Sequence, residues 1–276
     1  MKKALIATLA LCVLGASVFV SCGGSNEDDT KKAGVTYTKN ASGTAYTVTG
    51  FEKDSDTVTI SAQYEGLPVT KIAKGAFNAN TTDSEEIKEF VIPSSITEIE
   101  NGAFSGCAKL EKVSYDGTIA QWLSIKMYDN DETEGGNENP FVASGNKATL
   151  YAKGEKVESV SFATSGRVGI QLKGCSSIKS VTIADTMTKI GAYAFANCEN
   201  LTSVVIGTGV TYIGIGAFDN CVGLEEVEFK DINGWGYETT GATNLASIDP
   251  ELIQDKEEIV EYILDDAYRA VWIKTV

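Results

Sequence analysis

Thirty-eight aspartates and glutamates, six cysteines and no histidine set the chemistry open to this chain. Without imidazole there is no Ser-His-Asp or Cys-His relay and no His-ligated zinc. Cys12 and Cys22 fall at the N-terminal end. Cys175 to Cys198 and Cys198 to Cys221 are each 23 residues apart, and Cys107 sits in a similar phrase. That is a repeat interval, not the Cys-x-x-Cys spacing of a metal or redox pair. The four read as buried, apolar filler at one repeat position, although a disulfide between neighbours is open to an exported chain. Carboxylates are plentiful, but no two stand at a spacing distinctive of general acid–base catalysis. The glycines follow no phosphate-binding pattern. Met127–Asn139 holds Asp129, Asp131, Glu132, Glu134 and Glu138. Its start resembles a calcium loop, yet the required glycine and closing glutamate are misplaced, and a solvated loop is the reading. The expectation is no enzyme and no cofactor.

What positions these residues is a repeat. Ile190–Cys198 recurs as Ile213–Cys221, with earlier copies at Ile99–Cys107 and, more faintly, Ile72–Asn80. A period of 23 residues implies a solenoid, in which each unit buries its apolar side only against its neighbours. Shifted by one period, Val181, Ile183, Met187, Ile190, Phe195, Leu201, Val204 and Ile206 land on Val204, Ile206, Val210, Ile213, Phe218, Leu224, Val227 and Phe229. Every pair is apolar. Phe77, Phe104, Phe195 and Phe218 are expected to fill the centre, with Cys107, Cys175, Cys198 and Cys221 beside them.

Each coil reads as a short strand with period-2 alternation, a turn, and a return side. Strands are expected at Thr57–Ser61, Glu86–Pro93, Leu110–Tyr115, Val157–Phe162, Ile178–Ile183, Leu201–Ile206 and Leu224–Phe229. Gly209 is read as a turn residue tolerant of positive φ. Stacked strands would be parallel, roughly 4.8 Å apart.

The phrase Gly-x-x-Ala-Phe-x-x-Cys-x-x-Leu, preceded by a Val-x-x-Ile return, resembles the BspA-like leucine-rich repeat family of bacterial surface proteins. Tyr46–Phe51 with Tyr64–Ile72 is similar to that family's entry segment. Tyr115–Trp122 with Asn139–Phe141 resembles an interleaved irregular unit, and Asp231–Trp235 an exit segment. The resemblance spans roughly 45–235. It implies an α/β solenoid, a right-handed horseshoe of stacked short parallel strands. It also implies cell-surface location and a general association with host-protein binding, and it supplies no catalytic residues.

The net charge is −15. Such a surface repels phosphate backbones, so nucleic acid and bare anionic membrane are poor partners. Lys2-Lys3 and the apolar Ala4–Val20 form an export leader. Ser21-Cys22 resembles a lipoprotein signal with Cys22 as the acylated N-terminus; Phe19 departs from the usual leucine, and ordinary cleavage after Ala16 or Ser17 is the alternative. The expected order is signal peptide 1–21, tether 22–34, N-terminal cap 35–55, repeat domain 56–235 with an irregular unit at 117–156, and a C-terminal cap 236–276. Within the last, Pro250–Tyr268 has helical spacing, opened by Asp249-Pro250. A lipid-anchored protein at the bacterial cell surface or outer membrane follows, touching membrane through its lipid alone.

Outward strand residues form one continuous face. They are Thr57, Thr59, Ser61; Glu89, Val91; Lys112, Ser114, Asp116; Ser159, Ser161; Ser180, Thr182; Ser203, Val205; and Glu226, Glu228, Lys230. They vary in character while the inward set does not, so partner choice is expected there. Tyr193 and Tyr212, on the return side, are read either as interface anchors or as partly packed core. A non-catalytic module binding an extracellular or host protein is the leading expectation. A structural or self-associating role and carbohydrate binding are the alternatives. For the last, only Trp122, Trp235 and Trp272 offer large rings, none on this face.

Overall fold

In the computed structural model the described residues are 34–52, 55–78, 84–127, 139–145, 147–163, 166–239, 246–264 and 270–275. The leader, Cys22, the tether as far as residue 33 and the acidic stretch 128–138 lie outside them.

The fold is a β-solenoid of about 7 stacked turns with mostly parallel strands. Two ladders run along it. The front ladder stacks Thr57–Thr59, Glu89–Ile92, Lys112–Tyr115 and Thr149–Ala152, then, as a second sheet, Ser159–Phe162, Ser180–Ile183, Ser203–Ile206 and Glu226–Phe229. The return ladder stacks Tyr46–Glu52, Leu67–Ile72, Glu98–Ile99 and Lys126–Met127, then Gly166–Val168, Met187–Ile190 and Tyr212–Ile213. Register follows the period: Val181 lies on Val204 and Val204 on Val227; Ile190 lies on Ile213. All are buried.

The front strands begin two or three residues later than the apolar pattern suggests. The leading leucines Leu110, Leu201 and Leu224 are buried but belong to a turn, each N–H donating to the carbonyl of the cysteine three residues before. Each of those cysteines in turn donates its N–H to a phenylalanine carbonyl, as Cys198 does to Phe195 at 3.0 Å. The Phe-x-x-Cys-x-x-Leu phrase is therefore two consecutive tight turns. Phe195 stacks on Phe218 with ring centroids 5.4 Å apart, and Phe77 on Phe104 at 5.5 Å.

A left-handed backbone position recurs in these turns. Gly106, Gly174, Asn197 and Asn220 hold it, with φ of 91°, 74°, 61° and 55°. Only glycine adopts it without cost, and asparagine is the next most tolerant residue. Gly209 departs from expectation. It is not among the positive-φ glycines. A β-carbon there would lie 2.0 Å from the Asp185 carbonyl oxygen, so close approach of the neighbouring coil excludes a side chain.

The irregular unit is itself a coil. Thr149–Ala152 pairs in parallel with Lys112–Tyr115, and Lys126–Met127 with Glu98–Ile99. A capped helix, Ile119–Ser124, buries Trp122 within it. Beyond this unit the front ladder breaks, because the hairpin strand Glu155–Lys156 folds back on Thr149–Ala152, and among the described residues no strand pairing joins Lys126–Met127 to Gly166–Val168. Side chains span the seam beside a backbone bond from Ser176 N–H to Ala148 O at 3.3 Å. Trp122 Nε1 donates to Gln171 O and Gln171 Nε2 to Ile125 O, both at 3.0 Å. Asn139 Nδ2 donates to Ile170 O and Lys173 O, both at 2.8 Å.

Caps close the ends. The hairpin of Gly34–Lys39 and Tyr46–Glu52 begins the return ladder. At the other end the pattern over Pro250–Tyr268 resolves into two helices, Pro250–Gln254 and Glu258–Leu264. Asp255 separates them, its carboxylate accepting from the Glu257 and Glu258 N–H groups as a fresh cap. The strand Ala270–Lys274 then pairs antiparallel with both Tyr212–Ile213 and Trp235–Thr239, a closure the helical spacing did not suggest. The last front strand is also covered, since Val227 N–H donates to Lys256 O at 3.0 Å. An exposed strand edge would otherwise invite pairing with another chain.

Candidate binding face

Two outward rows run along the front ladder. The first is Thr57, Glu89, Lys112 and Thr149, then Ser159, Ser180, Ser203 and Glu226. The second is Thr59, Val91, Ser114 and Tyr151, then Ser161, Thr182, Val205 and Glu228. Alternation along each strand turns these side chains out while Val113, Val160, Val181, Val204 and Val227 turn in.

The seam divides the candidates. Lys112, Ser114 and Asp116 lie before it. Lys112 Nζ is 3.0 Å from Glu89 and 5.0 Å from the Tyr151 ring centroid. Burial alone would raise the Glu89 carboxyl, but the Ser114 hydroxyl and the Lys112 ammonium hold it below its ordinary value. Ser180, Thr182, Ser203 and Val205 lie beyond the seam. Together with Ser159 and Ser161 they make an uncharged, hydroxyl-rich surface, on which Ser180 donates to Ser159 at 2.7 Å. At the far end Glu226 and Glu228 meet Lys256 of the C-terminal cap at 2.9 and 2.6 Å. Their carboxylates, Glu228 first, raise the Lys256 ammonium above its ordinary value. Lys230 reaches Asp185 at 3.5 Å.

Opposite charges face one another across coils throughout: Asp56 with Lys88, Glu86 with Lys109, Glu158 with Lys179, and Glu98 and Glu100 with Lys71. Parallel stacking at about 4.8 Å brings such pairs into register, though each exposed pair contributes little.

Thr149 and Tyr151 are face residues that the sequence reading missed. Leu150 is the only strong inward residue of its strand, so alternation there was faint. Tyr193 is no exposed anchor. It is 8% exposed, and its ring lies against Gly216, where a β-carbon would meet it at 2.5 Å, and 5.3 Å from Lys173 Nζ. Tyr212 is half-buried, with Lys189 Nζ 4.4 Å from its ring centroid. Trp122, Trp235 and Trp272 are buried.

Cys107, Cys175, Cys198 and Cys221 are free thiols in the core. Cys198 and Cys221 Sγ each donate at 3.1 Å to a carbonyl of the preceding coil, Leu172 and Phe195 respectively. Burial pushes the Cys107 and Cys221 thiols up to about 12. A thiol so held is protonated at neutral pH and a poor nucleophile. Among the described residues no group of three or more Cys, Asp or Glu is placed to hold a metal ion. A cleft of about 480 Å³ opens at the seam between Thr118, Ile119, Ala152 and Ser159, rimmed by Lys153 and Lys156.

Short parallel strands, tight turns and a 23-residue period define a leucine-rich-repeat solenoid. The sequence profile described as the BspA type leucine rich repeat region matches six copies, over residues 55–130 and 170–266, more than half of the chain. The chain belongs to the BspA-type leucine-rich repeat family. The gap in the match spans most of the irregular unit, and the match runs on into the C-terminal helices. Among solved structures, a leucine-rich cell surface protein from Faecalibacterium prausnitzii A2-165 is similar at 20% identity and a TM-score of 0.50, covering 79% of this chain and 60% of that one. This chain therefore spans less than two thirds of that relative's length. A leucine-rich repeat protein from Bacteroides ovatus aligns at 24% identity and a TM-score of 0.34, over 72% of this chain and 41% of that one. A leucine-rich repeat protein of T. pallidum aligns at 21% identity and a TM-score of 0.36, over 70% and 68%. No curated protein matches the chain. Among the described residues no helix is long and apolar enough to cross a membrane.

Proposed function

We propose that this chain is a non-catalytic protein-binding module displayed on a bacterial cell, adhering to extracellular or host proteins. One observation carries the reading: the inward rows stay apolar from coil to coil while the outward rows change from charged to hydroxyl to aliphatic. Stacking constrains the first set and leaves the second free to specify a partner. The surface location named for the F. prausnitzii neighbour is in keeping with this. Export through the leader and acylation of Cys22 complete the proposal, and the acyl chains would hold the module at the membrane.

The test is capture from a panel of matrix and serum proteins by the lipid-free chain, run beside a glycan array. Saturable binding to a protein, weakened when Ser180 and Ser203 are both changed to lysine, is expected. Binding to glycans alone would overturn the reading. Loss of fatty-acid labelling in Cys22→Ala tests the anchor.

A further inference from the structure

The entry cap holds an aromatic cluster apart from the ladder face. Tyr64 is 41% exposed and is, with Val222, an exposed large apolar side chain among the described residues. Its ring stacks on Tyr37, centroids 4.7 Å apart and planes at 24°, and meets Tyr46 nearly edge-on at 5.0 Å. Tyr37 is held in turn, its hydroxyl accepting from the Ser61 N–H at 2.9 Å.

The backbone beneath is equally fixed. Gln63–Tyr64 and Leu67–Ile72 form a hairpin whose two-residue turn is Glu65-Gly66, both at positive φ (48° and 77°). This is the tight turn that matches strand twist, and it places a carboxylate beside the exposed ring. The Tyr46 hydroxyl donates to Glu65 Oε2. An ionised carboxylate accepts several further hydrogen bonds. The cluster already accommodates one cation, since Lys39 Nζ lies 5.4 Å from the Tyr46 ring centroid.

We infer that Tyr64 and Glu65 form a docking site for an arginine side chain of a basic partner protein. A guanidinium is planar, stacks on an aromatic face and pairs with a carboxylate in a fixed fork, which an ammonium cannot do equally well. Tyr64, pinned by two other tyrosines, loses little freedom when a partner lands on it. The chain's net charge of −15 favours a basic partner before contact. The inference rests on the protein-binding reading and names the partner chemistry for one part of it.

The probe is a short peptide of alternating arginine and glycine, titrated against the full chain beside lysine–glycine and citrulline–glycine counterparts. The arginine peptide should bind best and the neutral citrulline peptide worst. Tyr64→Ala and Glu65→Gln should each weaken arginine-peptide binding about threefold to fivefold. Tyr64→Phe keeps the stacked ring and should bind as the parent does. Glu225→Gln, an exposed carboxylate far along the solenoid, should change nothing. Equal binding of the arginine and lysine peptides, with Glu225→Gln as damaging as Glu65→Gln, would reduce the attraction to diffuse charge and overturn the inference. Should a captured panel protein bind the parent and Tyr64→Ala chains equally, with no arginine preference, the inference falls while the protein-binding reading stands. An arginine preference without any captured protein supports the site and counts against that broader reading.

Discussion

Replacing Asn139 with alanine should separate the two halves of the solenoid energetically. Asn139 is fully buried, and its amide oxygen and both amide protons are bonded on the seam and its helix. Its oxygen accepts from Val142 N–H at 3.0 Å, capping the turn Pro140–Ala143, while its two amide protons go to Ile170 O and Lys173 O. Loss of the cap costs about 0.5–2 kcal/mol. A buried carbonyl left without its donor costs about 1–3 kcal/mol. Ile170 O retains a bond from Lys173 N–H at 3.1 Å, so most of that second cost falls on Lys173 O. The sum is about 1.5–5 kcal/mol, or about 3–20 °C in Tm for a chain of this size. Asn139→Asp should be at least as damaging at neutral pH, because it keeps the cap but points an ionised oxygen at two carbonyls. Thermal unfolding measures the shift. Hydrogen exchange locates it, and protection should fall first around residues 139–145 and 170–177. A Tm change under about 2 °C, or lost protection confined to residues 203–229, would refute the reasoning.

The column of rings predicts that Phe195→Ala costs about 3–5 kcal/mol in denaturant unfolding, since its cavity opens beside Phe218 and Phe162. At the left-handed position Asn220→Gly should be close to neutral, whereas Asn220→Ala should cost about 1–2 kcal/mol; equal effects would remove the backbone argument. The core thiols should resist alkylation in the native chain at pH 8, with peptides containing Cys107, Cys198 and Cys221 labelled only after unfolding. Burial raises the folded pKa of Cys107 and Cys221 from 9.0 to about 12. Their contribution is therefore complete below pH 9 and lost as pH climbs from 9 towards 12. A melting temperature that stays flat across that window would contradict it.

The regular coils were legible because stacking demands the same side-chain class once per period. Val204, Phe218 and Cys221 each repeat a constraint already met at Val181, Phe195 and Cys198. Glycines were legible as positions but not always as causes: Gly209 answers to the Asp185 carbonyl of the preceding coil, a contact no local reading contains. The irregular unit hid its coil because Trp122 and Phe141 do the packing that a repeat phenylalanine does elsewhere. The seam bonds of Asn139 and Gln171 join residues more than thirty positions apart with no periodicity to announce them. For the candidate face, alternation placed Lys112, Ser180 and Ser203 correctly on strands. It could not show that Glu226 and Glu228 would share Lys256, because the cap lies outside the period. The Tyr37–Tyr46–Tyr64 cluster depends on two hairpins folding together.

Deleting one period tests the account most directly. Removal of residues 187–209 joins Thr186 to Val210, which takes the place of Met187, and sets the strand Glu226–Phe229 on Ser180–Ile183 in the native register. The shortened chain should still unfold cooperatively, with a β-rich spectrum and a denaturant m-value lower by about a tenth. Removal of residues 187–198 instead throws inward and outward positions out of phase and should leave no cooperative transition. If both deletions unfold alike, or the 23-residue deletion alone fails to fold, the coils are not equivalent stacked units.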